Sequence, residues 1–144
     1  MVNRRAFLTI LGGAAVAGLS RGALAGDLTS LPIGSRMRGG FPHPEPRPGI
    51  TGEHVLPEDE IGSRKRVREA YAAARTHPEI FDGVFCACEC HESMNHRSLL
   101  SCFESRQAIG CAACREESEF VGRLARDGKT LDEIRRAVDK EFSY

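Results

Sequence analysis

The sequence contains no tryptophan, and aromatic residues make up only 6% of it. Large aromatic side chains supply much of the buried surface of a core, so this chain can build only a thin one. After residue 57 it also lacks the alternation of polar and apolar residues that is typical of strands. We therefore expect an all-helical fold, with one small domain at residues 57–144 that carries a cysteine-rich loop.

Catalytic signatures and long apolar runs are also missing. There is no phosphate-binding loop, nucleophile elbow or paired-carboxylate spacing, so we expect no enzymatic activity. The longest apolar run, residues 7–19, is too short to span a membrane comfortably. It follows Arg4 and Arg5 and precedes a small-residue pattern at residues 23–25, which is the order of a signal peptide. Because x-Phe-Leu follows the arginine pair, we predict a twin-arginine (Tat) signal at residues 1–25, with an ordinary Sec signal as the alternative.

Cleavage after Ala25 would leave an exported chain, periplasmic or otherwise extracytoplasmic. Cleavage removes three arginines and no acid, which leaves 17 basic and 20 acidic residues and a net charge of −3. That balance argues against nucleic acid or an anionic membrane as a partner. No cysteine lies near the cleavage site to carry a lipid, so we expect no stable membrane anchor after cleavage.

Proline is scarce beyond residue 57, since six of the seven prolines lie in residues 26–57. The stretch FPHPEPRPG has proline at every second position, which removes backbone donors and restricts φ. We interpret residues 26–57 as a Pro/Gly-rich linker, disordered or extended. Its histidines, His43 and His54, are expected to be solvated and not to bind metal.

Three helical patterns follow this segment. The acidic run at residues 57–60 predicts a helix start, and Pro78 should end that helix. Its expected buried stripe comprises Val67, Ala70, Tyr71 and Ala74. A second helix is predicted from about Ser105 to Arg126, with a glycine just past its end. The third begins at a capping box of Thr130 and Glu133. Its expected stripe comprises Leu131, Ile134, Val138 and Phe142.

Six cysteines and two histidines lie close together between the first and second helices and in the second. They are Cys86, Cys88, Cys90, His91, His96, Cys102, Cys111 and Cys114. A thin-cored domain of this size often depends on a disulfide or a metal. An even number of cysteines in an exported chain fits both.

The alternate spacing of Cys86, Cys88 and Cys90 favours a metal. In a strand these thiols would be roughly 7 Å apart, too far for one ion, but in a compact loop they can converge. A disulfide within the triplet needs a small strained ring, so we expect its thiols to pair poorly with each other. A folded Tat cargo can also take up metal in the reducing cytoplasm. Three disulfides across the fold remain the alternative.

The number of donors favours Cu(I). Six thiolates and two imidazoles exceed one tetrahedral zinc site, whereas several Cu(I) ions sharing bridging thiolates would use all six. Zinc is the second candidate. Cys111 and Cys114, three apart in a predicted helix, should share one face and suit a single ion. A redox role for that pair is disfavoured because no strand precedes the helix. His91 and His96 are candidate ligands, with helix capping as the alternative.

These motifs follow one another in a specific order across most of residues 67–144. The order is Tyr71, Pro78-Glu79-Ile80-Phe81, the cysteine triplet, His96-x-Ser98-Leu99-x-x-Cys102-Phe103, Cys111-x-x-Cys114 and Gly128-Lys129-Thr130. It resembles the PCYCGC-motif proteins, exported bacterial proteins of poorly defined function. Proline, tyrosine and glycine of that motif are replaced by Phe85, Ala87 and Glu89. The resemblance implies that the cysteines act as a unit.

We therefore expect an exported, tethered helical domain that holds a soft metal or hands it to a delivery or acceptor protein. The alternatives are a disulfide-stapled interaction module, a structural zinc-binding domain and a thiol–disulfide exchanger that uses Cys111 and Cys114.

Overall fold

The computed structural model describes residues 43–88 and 90–142, apart from the side chain of His91. The predicted signal peptide at residues 1–25, the first part of the predicted linker and Glu89 lie outside the described residues. Within them the fold is all-helical, as predicted, and contains no strand. The helices are α1 (Lys65–Thr76), α2 (Pro78–Asp82), α3 (Cys90–Met94), α4 (Gln107–Gly110), α5 (Ala112–Arg126) and α6 (Leu131–Phe142). None of the helices in these ranges is long and apolar enough to cross a bilayer.

Helix α5 is central, because it packs against α1, α2, α4 and α6. It lies close to α1 at Gly122, where a Cβ would be only 2.9 Å from the Cβ of Ala73. Ser118 Oγ also donates to the carbonyl of Ala70 at 3.1 Å. The predicted α1 stripe is confirmed, since all its members are buried: Val67, Ala70, Tyr71 and Ala74.

Local signals at the later helix ends are also confirmed. Helix α1 ends before Pro78, which begins α2. Gly128 follows α5 with φ 75°, the left-handed conformation that glycine adopts at low cost. The capping box forms, because the Glu133 N–H donates to Thr130 Oγ1 at 3.3 Å and the Thr130 N–H donates to Glu133 Oε2 at 2.9 Å. In the α6 stripe, Ile134 and Val138 are fully buried, while Leu131 and Phe142 are half-buried.

Two predicted helix boundaries are wrong. Glu58–Glu60 forms a single 3-10 turn, and Gly62, with φ 76°, separates it from α1. Residues 105–126 do not form one helix, because Cys111 is extended between α4 and α5. The Arg115 guanidinium compensates for this break by donating to the carbonyls of Ala108, Ile109 and Cys111 at 2.8–2.9 Å.

The described part of the predicted linker is irregular except for the 3-10 turn Gly52–His54, and it packs on the helices through buried Ile50 and Val55. The Arg47 backbone N–H donates to the buried carboxylate of Asp82 at 2.7 Å, and its guanidinium donates to the same carboxylate. A tether is therefore the wrong description of residues 43–57. Alternating prolines remove backbone donors, yet they leave the intervening side chains free to pack.

The prediction that His43 is solvated is also wrong, because this residue is only 8% exposed. Its Nδ1 accepts the Phe85 N–H at 2.9 Å, and its Nε2 lies 3.1 Å from Asp139 Oδ1. An Nδ1 that accepts a hydrogen bond carries no proton, so the buried ring is neutral and Nε2 donates to Asp139. His54 is exposed, as expected.

Candidate metal centre

Four cysteine sulfurs converge beside the first turn of α5, all within 4.8 Å of one another. We name them the four-thiol group: Cys86, Cys88, Cys102 and Cys114. The Sγ of Cys86 lies 3.2 Å from that of Cys88, 3.7 Å from Cys102 and 3.8 Å from Cys114, and Cys88 lies 3.5 Å from Cys114. Ligands about 2.3 Å from a tetrahedral ion are about 3.8 Å apart, so the group has the size of a four-thiolate metal site.

Three separate elements bring these sulfurs together. Cys86 and Cys88 come from the loop after α2, Cys102 from the 3-10 turn Leu100–Cys102, and Cys114 from α5. The loop and the turn are joined by the Leu99 N–H, which donates to the Val84 carbonyl at 2.7 Å. The turn is held in place by the next residue, Phe103, whose ring packs edge-on against Tyr71 at 4.9 Å and Phe81 at 5.7 Å between ring centroids. The aromatic core therefore positions the site.

A second group of donor atoms shares Cys102. We name it the three-donor group: Cys90, His96 and Cys102, again all within 4.8 Å of one another. His96 Nδ1 lies 3.4 Å from Cys102 Sγ. Asn95, in the left-handed region with φ 55°, turns the chain after α3 so that the His96 N–H reaches the Cys90 carbonyl at 3.5 Å. The side chain of His91, the other predicted histidine ligand, lies outside the described residues.

A disulfide joins Cys88 to Cys90, whose Cα atoms are 5.5 Å apart. The expectation that thiols of the triplet pair poorly with each other is therefore wrong, since this Cα separation falls inside the range that a disulfide needs. Four cysteines are free, so a framework of three disulfides is not what the described residues contain. Because Cys88 and Cys90 belong to different groups, their disulfide takes one thiolate from each.

Cys111 belongs to neither group. It is the N-cap of α5, and its Sγ accepts the Cys114 N–H at 3.3 Å. The prediction that Cys111 lies inside a helix is therefore wrong, because Cys111 is the residue before α5, although its sulfur still lies beside Cys114. Its half-buried side chain satisfies a backbone donor that the first turn leaves free.

The free thiols of the four-thiol group have pKa values shifted in opposite directions. Hydrogen bonds from the thiols of Cys102 and Cys86 hold the pKa of Cys114 well below its usual range. Its place in the first turn of α5 acts in the same direction, because the positive end of the helix dipole favours a thiolate. Hydrogen bonding to Cys102 and Cys114, together with burial, raises the pKa of Cys86. A metal ion that binds here must therefore displace thiol protons.

Glu117 is a site residue that the sequence reasoning missed. It is fully buried on α5, and burial raises its pKa to about 8. Its Oε2 accepts the Ala87 N–H at 2.8 Å and so holds the loop between Cys86 and Cys88. Its Oε1 has no hydrogen-bond partner among the described residues. The sequence does contain a signal for this residue, since Glu117 lies three residues after Cys114 and four before Val121, on the helix face that is otherwise buried.

These features define a small all-helical domain whose clustered cysteines can hold a metal ion. The chain belongs to the PCYCGC family: residues 49–144 match the family described as a protein of unknown function with PCYCGC motif. The match spans every donor of both groups, and the motif falls on residues 85–90, FCACEC. No curated protein and no solved structure matches the chain. The family description names neither a metal nor a location, so a function has to be argued from the site.

Proposed function

We propose that this protein is exported and binds Cu(I), which it holds or hands to an acceptor protein. The observation that carries the proposal is the four-thiol group, in which four sulfurs from three elements lie within 4.8 Å of one another. Thiolates are soft donors and select Cu(I) over the hard cations that prefer oxygen. The adjacent three-donor group adds a thiol and an imidazole, more donors than one tetrahedral ion uses.

The burial pattern supports transfer rather than permanent storage. Cys102 and Cys114 are fully buried and Cys86 is only 4% exposed, whereas Cys88 is half-buried. Cys88 is therefore the ligand that an incoming thiol from an acceptor protein reaches first. Exchange of one ligand at a time lets the ion move without passing through water.

A structural zinc site is the second candidate, because the Sγ–Sγ distances of 3.2–3.8 Å are close to the edge of a tetrahedral zinc–thiolate site. The two functions differ in what the metal does for the fold. A structural zinc contributes folding energy, so its removal unfolds the domain. A carrier keeps its helices when the ion has left.

Cu(I) and zinc titrations of the reduced, metal-free full-length chain, each against a competing chelator, test the proposal. We expect Cu(I) to be bound and the helical circular dichroism to be the same with and without it. The Cys114→Ser variant should bind Cu(I) at least about tenfold more weakly, because it loses a buried ligand. A metal-free chain that is unfolded and refolds on zinc would establish the structural site instead. Failure to bind either ion would overturn the proposal.

The export step is tested separately by cell fractionation. The wild-type chain is expected outside the cytoplasm, and the double variant Arg4→Lys, Arg5→Lys should be retained inside, because the twin-arginine route recognises the arginine pair. An unchanged distribution of the variant would contradict Tat export and leave metal binding unaffected.

A further inference from the structure

The three-donor group offers two thiols and an imidazole, donors that suit copper, and it shares Cys102 with the four-thiol group. Its donors all lie within 4.8 Å of one another, with Cys90 and Cys102 buried and His96 half-buried. We infer that it binds a second Cu(I) ion, and that the Cys102 thiolate bridges this ion to the one in the four-thiol group. The inference rests on the proposed function, since it adds a second ion to the same centre.

The position of Cys102 argues for a bridge. Its Sγ lies 3.7 Å from Cys86 Sγ on one side and 3.4 Å from His96 Nδ1 on the other. A thiolate sulfur has several lone pairs, so one cysteine can serve two soft ions. Full burial of Cys102 keeps solvent away from the sulfur between them.

The local backbone is built to present His96. A non-glycine residue in the left-handed region is uncommon, and Asn95 adopts φ 55° at the end of α3. This turn brings His96 back over the start of the same helix, where its N–H meets the Cys90 carbonyl. Without this turn, His96, six residues after Cys90, would continue away from Cys90.

The Cys90 ligand of this group also has a hydrogen-bond donor beside it. Gln107 Nε2 lies 3.7 Å from Cys90 Sγ and donates to it. Amide donors stabilise a thiolate and fix its orientation, as outer-shell partners of metal ligands do. Gln107 begins α4, so a third element holds the three-donor group in addition to α3 and the Leu100–Cys102 turn.

Charge balance also favours a second cation. One monovalent ion leaves most of the charge of the clustered thiolate ligands in the two groups uncompensated. Uncompensated charge in a protein interior is costly. A second Cu(I), held between Cys90, His96 and Cys102, neutralises part of it where the thiolates are concentrated.

Both ions require Cys88 and Cys90 as thiols. A dithiol reductant supplies two electrons and two protons, breaks the S–S bond between Cys88 and Cys90, and is itself oxidised to a disulfide. Each thiol then gives its proton to solvent when it binds Cu(I).

Counting bound Cu(I) in the reduced full-length chain tests the inference. Native mass spectrometry and anaerobic titration against a chromogenic Cu(I) chelator should find two ions in the wild type. Cys90→Ser and His96→Gln should each retain one ion, while Cys111→Ser, outside both groups, keeps two. Circular dichroism establishes that each variant is folded. His96→Gln changes a half-buried side chain, so it remains informative if Cys90→Ser misfolds.

The outcomes separate the two proposals. A wild type that binds one ion, with the Cys90 and His96 variants unchanged, would overturn the second site and leave the four-thiol site standing. Two ions in all four proteins would assign the second ion to other ligands. A wild type that binds none would overturn the proposed function itself.

Discussion

Cys88 and Cys90 are joined by a disulfide, although each belongs to a different group of candidate metal ligands. One two-electron oxidation therefore removes a thiolate from both groups at once. The number of thiolates that the two groups can offer a metal ion is thus tied to the redox state of a single pair of residues.

We predict that the oxidised chain binds fewer Cu(I) ions, and more weakly, than the chain treated with a dithiol. The physical reason is the loss of one anionic ligand from each group. Titration with a Cu(I) chelator before and after reduction measures the change, with peptide mapping to establish that Cys88–Cys90 is the bond reduced. Equal copper binding in both states would show that neither residue is a ligand.

Replacing Gly122 by alanine should destabilise the fold. The new Cβ would lie 2.9 Å from Ala73 Cβ, so α1 and α5 would have to separate. Overpacking of this kind costs about 1–3 kcal/mol, which outweighs the gain of about 1 kcal/mol in helix propensity. Gly110→Ala is the matched control, because nothing lies within 4 Å of its Cβ position. Chemical denaturation compares the two, and equal stabilities would contradict the close helix contact.

His43 should make stability fall at mildly acidic pH. Burial lowers its pKa below 6.5, with Asp139 opposing and Arg135 reinforcing that shift. The unfolded chain takes up the proton first, so the stabilising contribution is present above 6.5 and is lost as the pH falls below it. His43→Gln removes the titration. We expect the stability difference between wild type and variant to shrink as the pH falls from about 7.5 to about 5.5. A constant difference would mean that His43 titrates alike in both states.

In the metal-free chain, Glu117 should make stability fall as the pH rises, which is opposite to the effect of His43. Burial raises its pKa from 4.5 to about 8, so the folded state keeps a proton that the unfolded state has lost. The contribution of Glu117 to stability is therefore fully present below pH 4.5 and is lost as the pH rises through about 8, by about 1.4 kcal/mol for each pH unit between those values. Glu117→Gln retains an acceptor for the Ala87 N–H and should abolish this loss. Parallel pH profiles for both proteins would contradict the buried protonated acid.

Local patterns allowed the helices to be predicted where short-range interactions determine them. The Thr130–Glu133 capping box and the stripe around Tyr71 involve neighbours three or four residues apart, so the sequence displays them directly. Docking of residues 43–57 depends on Arg47 meeting Asp82, 35 residues later. Local sequence patterns do not predict a contact between residues so far apart in the chain.

The site was predictable in composition but not in arrangement. The cysteines and His96 were identified from their number and spacing. The division of these residues into two groups depends on the left-handed turn at Asn95. Cys111 is excluded from both groups because the chain breaks before α5. Glu117 escaped notice because an acid in a helical sequence usually faces solvent.

The most direct test of the central claim is the metal content and thiol state of the protein purified anaerobically from its own cells without added metal. Elemental mass spectrometry and thiol titration are carried out on the same sample. We predict bound copper, with thiols that become reactive only when a chelator removes it. A metal-free protein whose thiols appear only after treatment with a reductant would contradict the account.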